Sequence, residues 1–225
     1  MRYLFGRKRS KKSTYQEPKP RKPEFELLEK RWLPSAFQIV EYTLPHGGNP
    51  QGIAAGPDGN LWFTEYGSGK IGSITPTGTI SEYTINSWEH HPYDITTGLW
   101  FTDQQTAGSV SQSMVSKTTT GGSVTQYTFW GPQSAKGLHG IAVGPDGNYW
   151  VAENSGSKIA VVTSSGTLSH EYTATGPEDG ITGPDDNFWF TEPGQNAVVK
   201  MTSGGSSTAY TVNGKPYGIA NGPAN

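Results

Sequence analysis

The sequence predicts an all-β chain of β-propeller type, made of four-stranded antiparallel blades, about four of them plus partial strands. Three observations predict it. The stretch GIAAGPDGNLWFTE at 52–65 returns along the chain, a tyrosine-bearing run returns between its copies, and the composition suits short strands joined by tight turns. That composition is 30 Gly and 16 Pro, with aromatics at 12% and charged residues at only 16%.

The first observation gives two strands per unit. GIAAGPDGNLWFTE recurs as GIAVGPDGNYWVAE (140–153) and GITGPDDNFWFTE (180–192), with a shortened copy DITTGLWFTD (94–103) and a fifth start, GIANGPAN (218–225). The tryptophans Trp62, Trp100, Trp150 and Trp189 are spaced by 38, 50 and 39 residues. Within each copy a GIAA-type strand A is joined to an LWFTE-type strand B through GPDGN. Pro presets φ at the first central position of a tight turn, Asp bonds nearby backbone, and Gly accepts positive φ. Strand C is the run KIGSI (70–74), KIAVV (158–162) and AVVKM (197–201). Strand D is TISEYTI (79–85), SVTQYTF (123–129), TLSHEYT (167–173) and STAYTV (207–212), and FQIVEYTLP (37–45) is a leading D strand. Their aligned tyrosines are Tyr42, Tyr83, Tyr127, Tyr172 and Tyr210. Four short strands every roughly 40 residues mark propeller blades, which bury their faces only when stacked. The repeated Trp is the expected plug between blades, and no helical period competes over 37–225.

The rest of the composition bounds function. There are no cysteines, which excludes disulfides, zinc–thiolate sites and thiol catalysis. No apolar run approaches the roughly 20 residues of a membrane span. The net charge of −2 hides a division: residues 1–32 carry eleven Lys/Arg against four Glu, and the remainder six Lys against fifteen acids. Residues 1–36 are therefore read as a basic, mostly disordered arm and 37–225 as the propeller, an incomplete ring or a fragment. The arm suits an anionic surface, with no specific nucleic acid implied. PEFELLEKRWLPS within it adds a helical turn or two with Phe25, Leu28 and Trp32 on one side. It also resembles the short Leu-Glu-x-Arg-x-Leu leader of some bacterial surface proteins, which favours an extracellular or cell-surface location over the cytoplasm.

The repeat also places chemistry. His139 starts a strand A and Glu153 ends its partner B, and in an antiparallel hairpin these positions meet at one rim. If strand A lines the channel, the pair looks into a central funnel. The same B-strand end carries Glu65, Asp103 and Glu192, so the repeat is expected to gather four acids at one mouth, where a hard cation would relieve their repulsion. His90 and His91 (EHHP) precede the second strand A and are read as loop histidines. His170, on an outer D strand, is read as a surface residue. No Ser sits in a nucleophile elbow and no Gly-rich loop opens a helix.

The pattern P-x-G-I-x-x-G-P-D-G-N-x-W-F-T-E, followed by K-I-G-x-I-T-x-x-G-x-x-x-E-Y, resembles the streptogramin B lyases, also called virginiamycin B lyases, over about residues 37–225. The resemblance implies a seven-bladed propeller, of which about four blades are present. This favours a fragment of a longer propeller, or self-association through open blade edges. It also implies a small cyclic peptide in the funnel, a depsipeptide antibiotic linearised by elimination. In that chemistry a His takes the proton beside a carbonyl and Mg²⁺ held by two Glu stabilises the enolate. The family pattern Glu-x-His-Gly-Ile is met only in part, in two registers. In one, His139 is the base and Glu153 the second metal ligand, with Gly137 where the first ligand belongs. In the other, His139 contacts substrate, Asp179 takes the base position, Glu192 is the second ligand, and Glu178 stands one residue away from the first ligand's place. Gln51, Tyr93 and Tyr217 fill the His position elsewhere and supply no base. The alternative is a propeller that binds a ligand, or acts as a surface scaffold, without catalysis.

Overall fold

Four separate four-stranded antiparallel sheets, each running in chain order, make up the computed structural model. It describes residues 39–86, 89–107, 110–129 and 136–222; the basic arm 1–36 lies outside the described residues. The first blade holds β1 (Pro50–Ala55), β2 (Leu61–Glu65), β3 (Lys70–Ile74) and β4 (Ile80–Thr84). The second holds β5 (His90–Thr96), β6 (Trp100–Ala107), β7 (Val110–Thr118) and β8 (Val124–Tyr127). The third holds β9 (Leu138–Val143), β10 (Tyr149–Glu153), β11 (Lys158–Val162) and β12 (Leu168–Thr173). The fourth holds β13 (Gly180–Thr182), β14 (Phe188–Glu192), β15 (Ala197–Met201) and β16 (Ser207–Thr211). Each blade's first strand contacts the first strand of the next, β1 to β5, β5 to β9 and β9 to β13, so these strands are innermost and the sheets radiate from them. Among the described residues no helix is long and apolar enough to cross a membrane.

The GPDGN turns work as a unit with the tryptophan. Asp58, Asp146 and Asp185 each accept a hydrogen bond from the indole N–H of Trp62, Trp150 and Trp189, at 3.0, 2.8 and 2.8 Å. The turn therefore pairs the one polar atom of the indole, an atom costly to leave unpaired where the ring is buried, as in Trp62 and Trp150. Blade two lacks this turn. It uses a single 3₁₀ turn, Thr97–Leu99, with Gly98 at φ 75° and Leu99 at φ 59°.

Blades are glued by apolar layers. Trp62, Ile71 and Ile85 of the first region pack with Ile95, Leu99 and Phe101 of the second. Trp100 and Val115 pack with Leu138, Ile141, Val151, Ala160 and Val162. Trp150 and Ile159 pack with Phe188, Phe190, Val199 and Met201. Burying each such large side chain stabilises by roughly 1.5–3 kcal/mol. A second device repeats beside these layers. The D-strand tyrosine of one blade lies over the C–D turn glycine of the next: Tyr83 over Gly122, Tyr127 over Gly166, Tyr172 over Gly205. Those glycines sit at φ 84°, 81° and 83°, and a Cβ on any of them would overlap the ring.

Three expectations change. The described part of 37–45 forms no strand, because no C strand stands beside it, although Tyr42 still covers Gly78 as the other tyrosines cover their glycines. The described part of 218–225 likewise forms no ladder, yet Ile219 and Asn221 hydrogen-bond to Asp179 and Thr182 along the inner side of the fourth blade. His90 and His91 are not loop residues. Both lie in β5, and His90 is buried at 2% exposure against Asp103, its Nδ1 2.6 Å from Oδ2. His170 is exposed on β12, as expected.

Candidate functional site

Strand register fixes which residues are equivalent around the axis. Ile53, Ile95, Ile141 and Gly180 pair with Phe63, Phe101, Val151 and Phe190. The residues two places earlier, one per blade, are Gln51, Tyr93, His139 and Glu178. Threonines on the B strands confirm the ring: Thr64 and Thr102 donate to the carbonyls of Tyr93 and His139, and Thr191 donates to the carbonyl of Tyr217. The expected position of Asp179 is thereby corrected. Aligning GIT with GIA slips strand A by one residue, and the residue equivalent to His139 in the fourth blade is Glu178.

One layer deeper the equivalent residues alternate in size: Gly52, Asp94, Gly140, Asp179. Each aspartate ties its own blade to the stretch of chain that follows around the axis. Asp94 accepts from its own blade at Ile95 N and from the next at Ile141 N, at 2.8 and 2.9 Å. Asp179 accepts from Gly180 N and Ile219 N, at 2.8 and 3.0 Å. The glycines make room, since a Cβ on Gly140 would lie 2.7 Å from the Asp179 Cα. Burial pushes Asp94 up to about 7, against the lowering effect of its backbone N–H bonds, and it also raises Asp179.

These layers line a cavity of about 250 Å³, with Gln51 and Gly52, Tyr93 and Asp94, Gly140, Glu178 and Asp179, and Tyr217 in its wall. At its rim three side chains from three blades meet. The His139 ring stacks on Tyr93 with centroids 4.4 Å apart and planes 13° apart. His139 Nδ1 lies 2.9 Å from Glu178 Oε2, an ion-pair separation without the alignment of a straight hydrogen bond. Glu178 Oε1 accepts from the Tyr93 hydroxyl at 3.0 Å, and Oε2 accepts from the Asn154 amide at 3.2 Å. Burial pushes Glu178 up, but the contacts with His139 and Tyr93 outweigh it, and the carboxyl lies below its ordinary value. Burial and Glu178 push the Tyr93 phenol up to about 12, so it stays a donor. His139 remains a quarter exposed. An imidazole held at one nitrogen by a carboxylate, with the other nitrogen left for proton exchange, is a general-base arrangement.

The expected companions of His139 lie elsewhere. Glu153 pairs with Leu138 across the hairpin, so it reaches the same end of the blade as His139. Its side chain turns under the following turn instead, beside Gly156 and Lys136, with Lys136 Nζ at 3.8 Å. Burial and the neighbouring Glu171 raise it to about 7. The other B-strand acids do the same in their own blades. Glu65 accepts from Ser68 Oγ at 2.7 Å, Asp103 holds His90, and Glu192 accepts from Thr175 N at 2.6 Å. The four acids are not gathered at one mouth, because alternation along strand B aims the threonine, not the acid, at the next blade.

Residues 34–160, and again residues 129–225, match the virginiamycin B lyase family. The chain belongs to that family. A virginiamycin B lyase of Nocardia farcinica is 30% identical over 128 residues, which is 55% of this chain and 40% of the relative. The crystal structure of virginiamycin B lyase from Staphylococcus aureus superposes with a TM-score of 0.71 at 32% identity, over 82% of this chain and 64% of that one. A catalytically inactive variant of the staphylococcal enzyme with quinupristin gives a TM-score of 0.69 at the same identity and coverage. The chain thus spans less than two thirds of the length of these relatives.

Against the Mg²⁺ that the virginiamycin B lyase resemblance implies, the side chains fit poorly. Both oxygens of Glu178 are engaged, and Glu153 and Glu192 lie within their own blades. Among the described residues no group of three or more His, Asp and Glu is placed to hold a metal ion. Sequence reasoning found His139 and suspected Glu178, and it placed Tyr93 at the His position without giving it a role. Counting back from the tryptophans would have found the register: Gly52 and Gly140 stand ten residues before Trp62 and Trp150, and ten before Trp189 is Asp179.

Proposed function

We propose that the chain is a carbon–oxygen lyase of the streptogramin B type, acting on a cyclic depsipeptide at the axis cavity with His139 as the base. The observation that carries this reading is the His139 imidazole, stacked on Tyr93 and paired at Nδ1 with the Glu178 carboxylate, two residues of the cavity wall. In the reaction His139 Nε2 takes the proton from the carbon beside a carbonyl. The C–H electron pair becomes the new C=C bond, and the ester C–O pair leaves with the carboxylate. Glu178 stabilises the imidazolium that forms. The ring opens without water, so product and substrate have equal mass. A cavity of about 250 Å³ takes an edge of such a ligand rather than the whole ring. Turnover is expected to be slow, because the carboxylates that would supply metal assistance are engaged elsewhere.

That same engagement favours a second reading, a propeller that binds its ligand without opening it. The separating experiment incubates the full chain with a virginiamycin-type depsipeptide and follows the ligand by chromatography and mass spectrometry. The lyase reading expects a new peak of unchanged mass. Retention of intact ligand on the protein without any new peak supports binding alone, and a product heavier by one water contradicts elimination.

A further inference from the structure

Glu178 sits at the ring position that carries Tyr93 in blade two and His139 in blade three, not two residues ahead of a histidine. From there it can reach its neighbours around the axis, and it does, across two blade boundaries. Tyr93 Oη donates to Oε1 at 3.0 Å, while Oε2 receives the Asn154 amide at 3.2 Å and faces His139 Nδ1 at 2.9 Å. Tyr93 touches both partners, since its ring also stacks on the imidazole.

We infer that in this chain Glu178 is a positioning residue for His139, locked by Tyr93, and that this three-blade unit works without a divalent ion. The inference rests on the reading of His139 as the base. Mg²⁺ demands near-octahedral oxygen ligands and holds its waters tightly, so it needs a carboxylate with free lone pairs facing open space. Moving Glu178 onto such an ion would forfeit the Tyr93 bond and the imidazole contact together. The other carboxylates are committed: Asp94 and Asp179, in the same cavity wall, each accept backbone N–H groups on both oxygens, Glu153 lies under the Gly156 turn and Glu192 is bound to Thr175 N. A carboxylate at Nδ1 performs a different task. It restrains the ring, and it balances the charge that the imidazole gains on taking a proton. The stack supplies the second constraint, on the ring plane.

The test uses the full chain with labelled histidines and Mg²⁺ alone as the probe. The His139 ring resonances are expected to stay put up to millimolar Mg²⁺. A saturable shift of His139 that Glu178→Gln abolishes would overturn the inference. The positioning role is read on the same resonances. Tyr93→Ala and Glu178→Gln should each move them, whereas Tyr93→Phe, which keeps the ring, should retain the stacking part of the shift. Unchanged His139 resonances in all three variants would also overturn it. In a ring-opening assay Tyr93→Phe should lower kcat roughly tenfold with KM unchanged, the loss of one hydrogen bond to a charged group. If the chain opens no depsipeptide, the resonance measurements still decide this inference, so its failure and that of the lyase reading are distinguishable.

Discussion

The starts of the inner strands and the ends of their partners occupy the same end of every blade, yet they handle charge in opposite ways. At the starts, Tyr93, His139 and Glu178 face the axis, share one another across blade boundaries and keep contact with solvent. At the ends, Glu65, Asp103, Glu153 and Glu192 are buried at 7% exposure or less, beside Ser68, His90, Lys136 and Thr175 respectively. A hairpin brings two residues to one rim, but the side-chain alternation of the strand decides which of them sees the cavity. The comparison teaches that the strand ends are built for stability and the strand starts for chemistry.

The largest effect should come from the strand ends. Asp103→Ala leaves His90 buried without its carboxylate and should cost about 3 kcal/mol in urea unfolding, the scale for breaking one partner of a buried pair. A cost below the noise would mean that Asp103 belongs with the adaptable rim groups. Glu153 gives a pH signature. Its folded value near 7 lies above the ordinary 4.5, so the native state holds the proton more tightly, and stability falls as pH rises from about 4.5 to about 7, then levels. Glu153→Gln should remove that slope and stabilise above pH 7 by roughly 2 kcal/mol, discounted for Lys136 and Lys158 nearby. An unchanged slope in a pH series of thermal melts would move the titration to another group. At the opposite end of the same hairpin, Asp146→Ala frees the Trp150 indole N–H and should cost about 1 kcal/mol. The smallest stability effect belongs to the rim: His139→Ala should cost about 0.5 kcal/mol, the low end for losing an aromatic stack on a side chain a quarter exposed.

Much of this was legible in the sequence because burial writes periodically. Trp62, Trp100 and Trp150 plug blade boundaries, and Tyr83, Tyr127 and Tyr172 need a glycine to lie on, so spacing alone reveals them. Strand C of three blades falls where the sequence predicts it, at 70–74, 158–162 and 197–201. The site was legible only in part. His139 stands out as a histidine beside Gly-Ile. Glu178 was hidden by a look-alike, since Gly180-Ile181 imitates the Gly-Ile of other blades while sitting one step further along β13. Tyr93 was legible as the occupant of the His position but not in its role, because a tyrosine announces neither the ring it stacks on nor the carboxylate it holds. His90 misled for a related reason: blade two lacks the GPDGN turn, and with no fixed distance from it the start of β5 could not be counted.

The most direct test of the central claim measures His139→Ala twice, once for folding and once for ring opening of a virginiamycin-type depsipeptide. The account predicts a variant that melts like the parent and loses ring opening by about a hundredfold or more, the range for removing a general base. Ring opening that survives the substitution in a well-folded variant would contradict it.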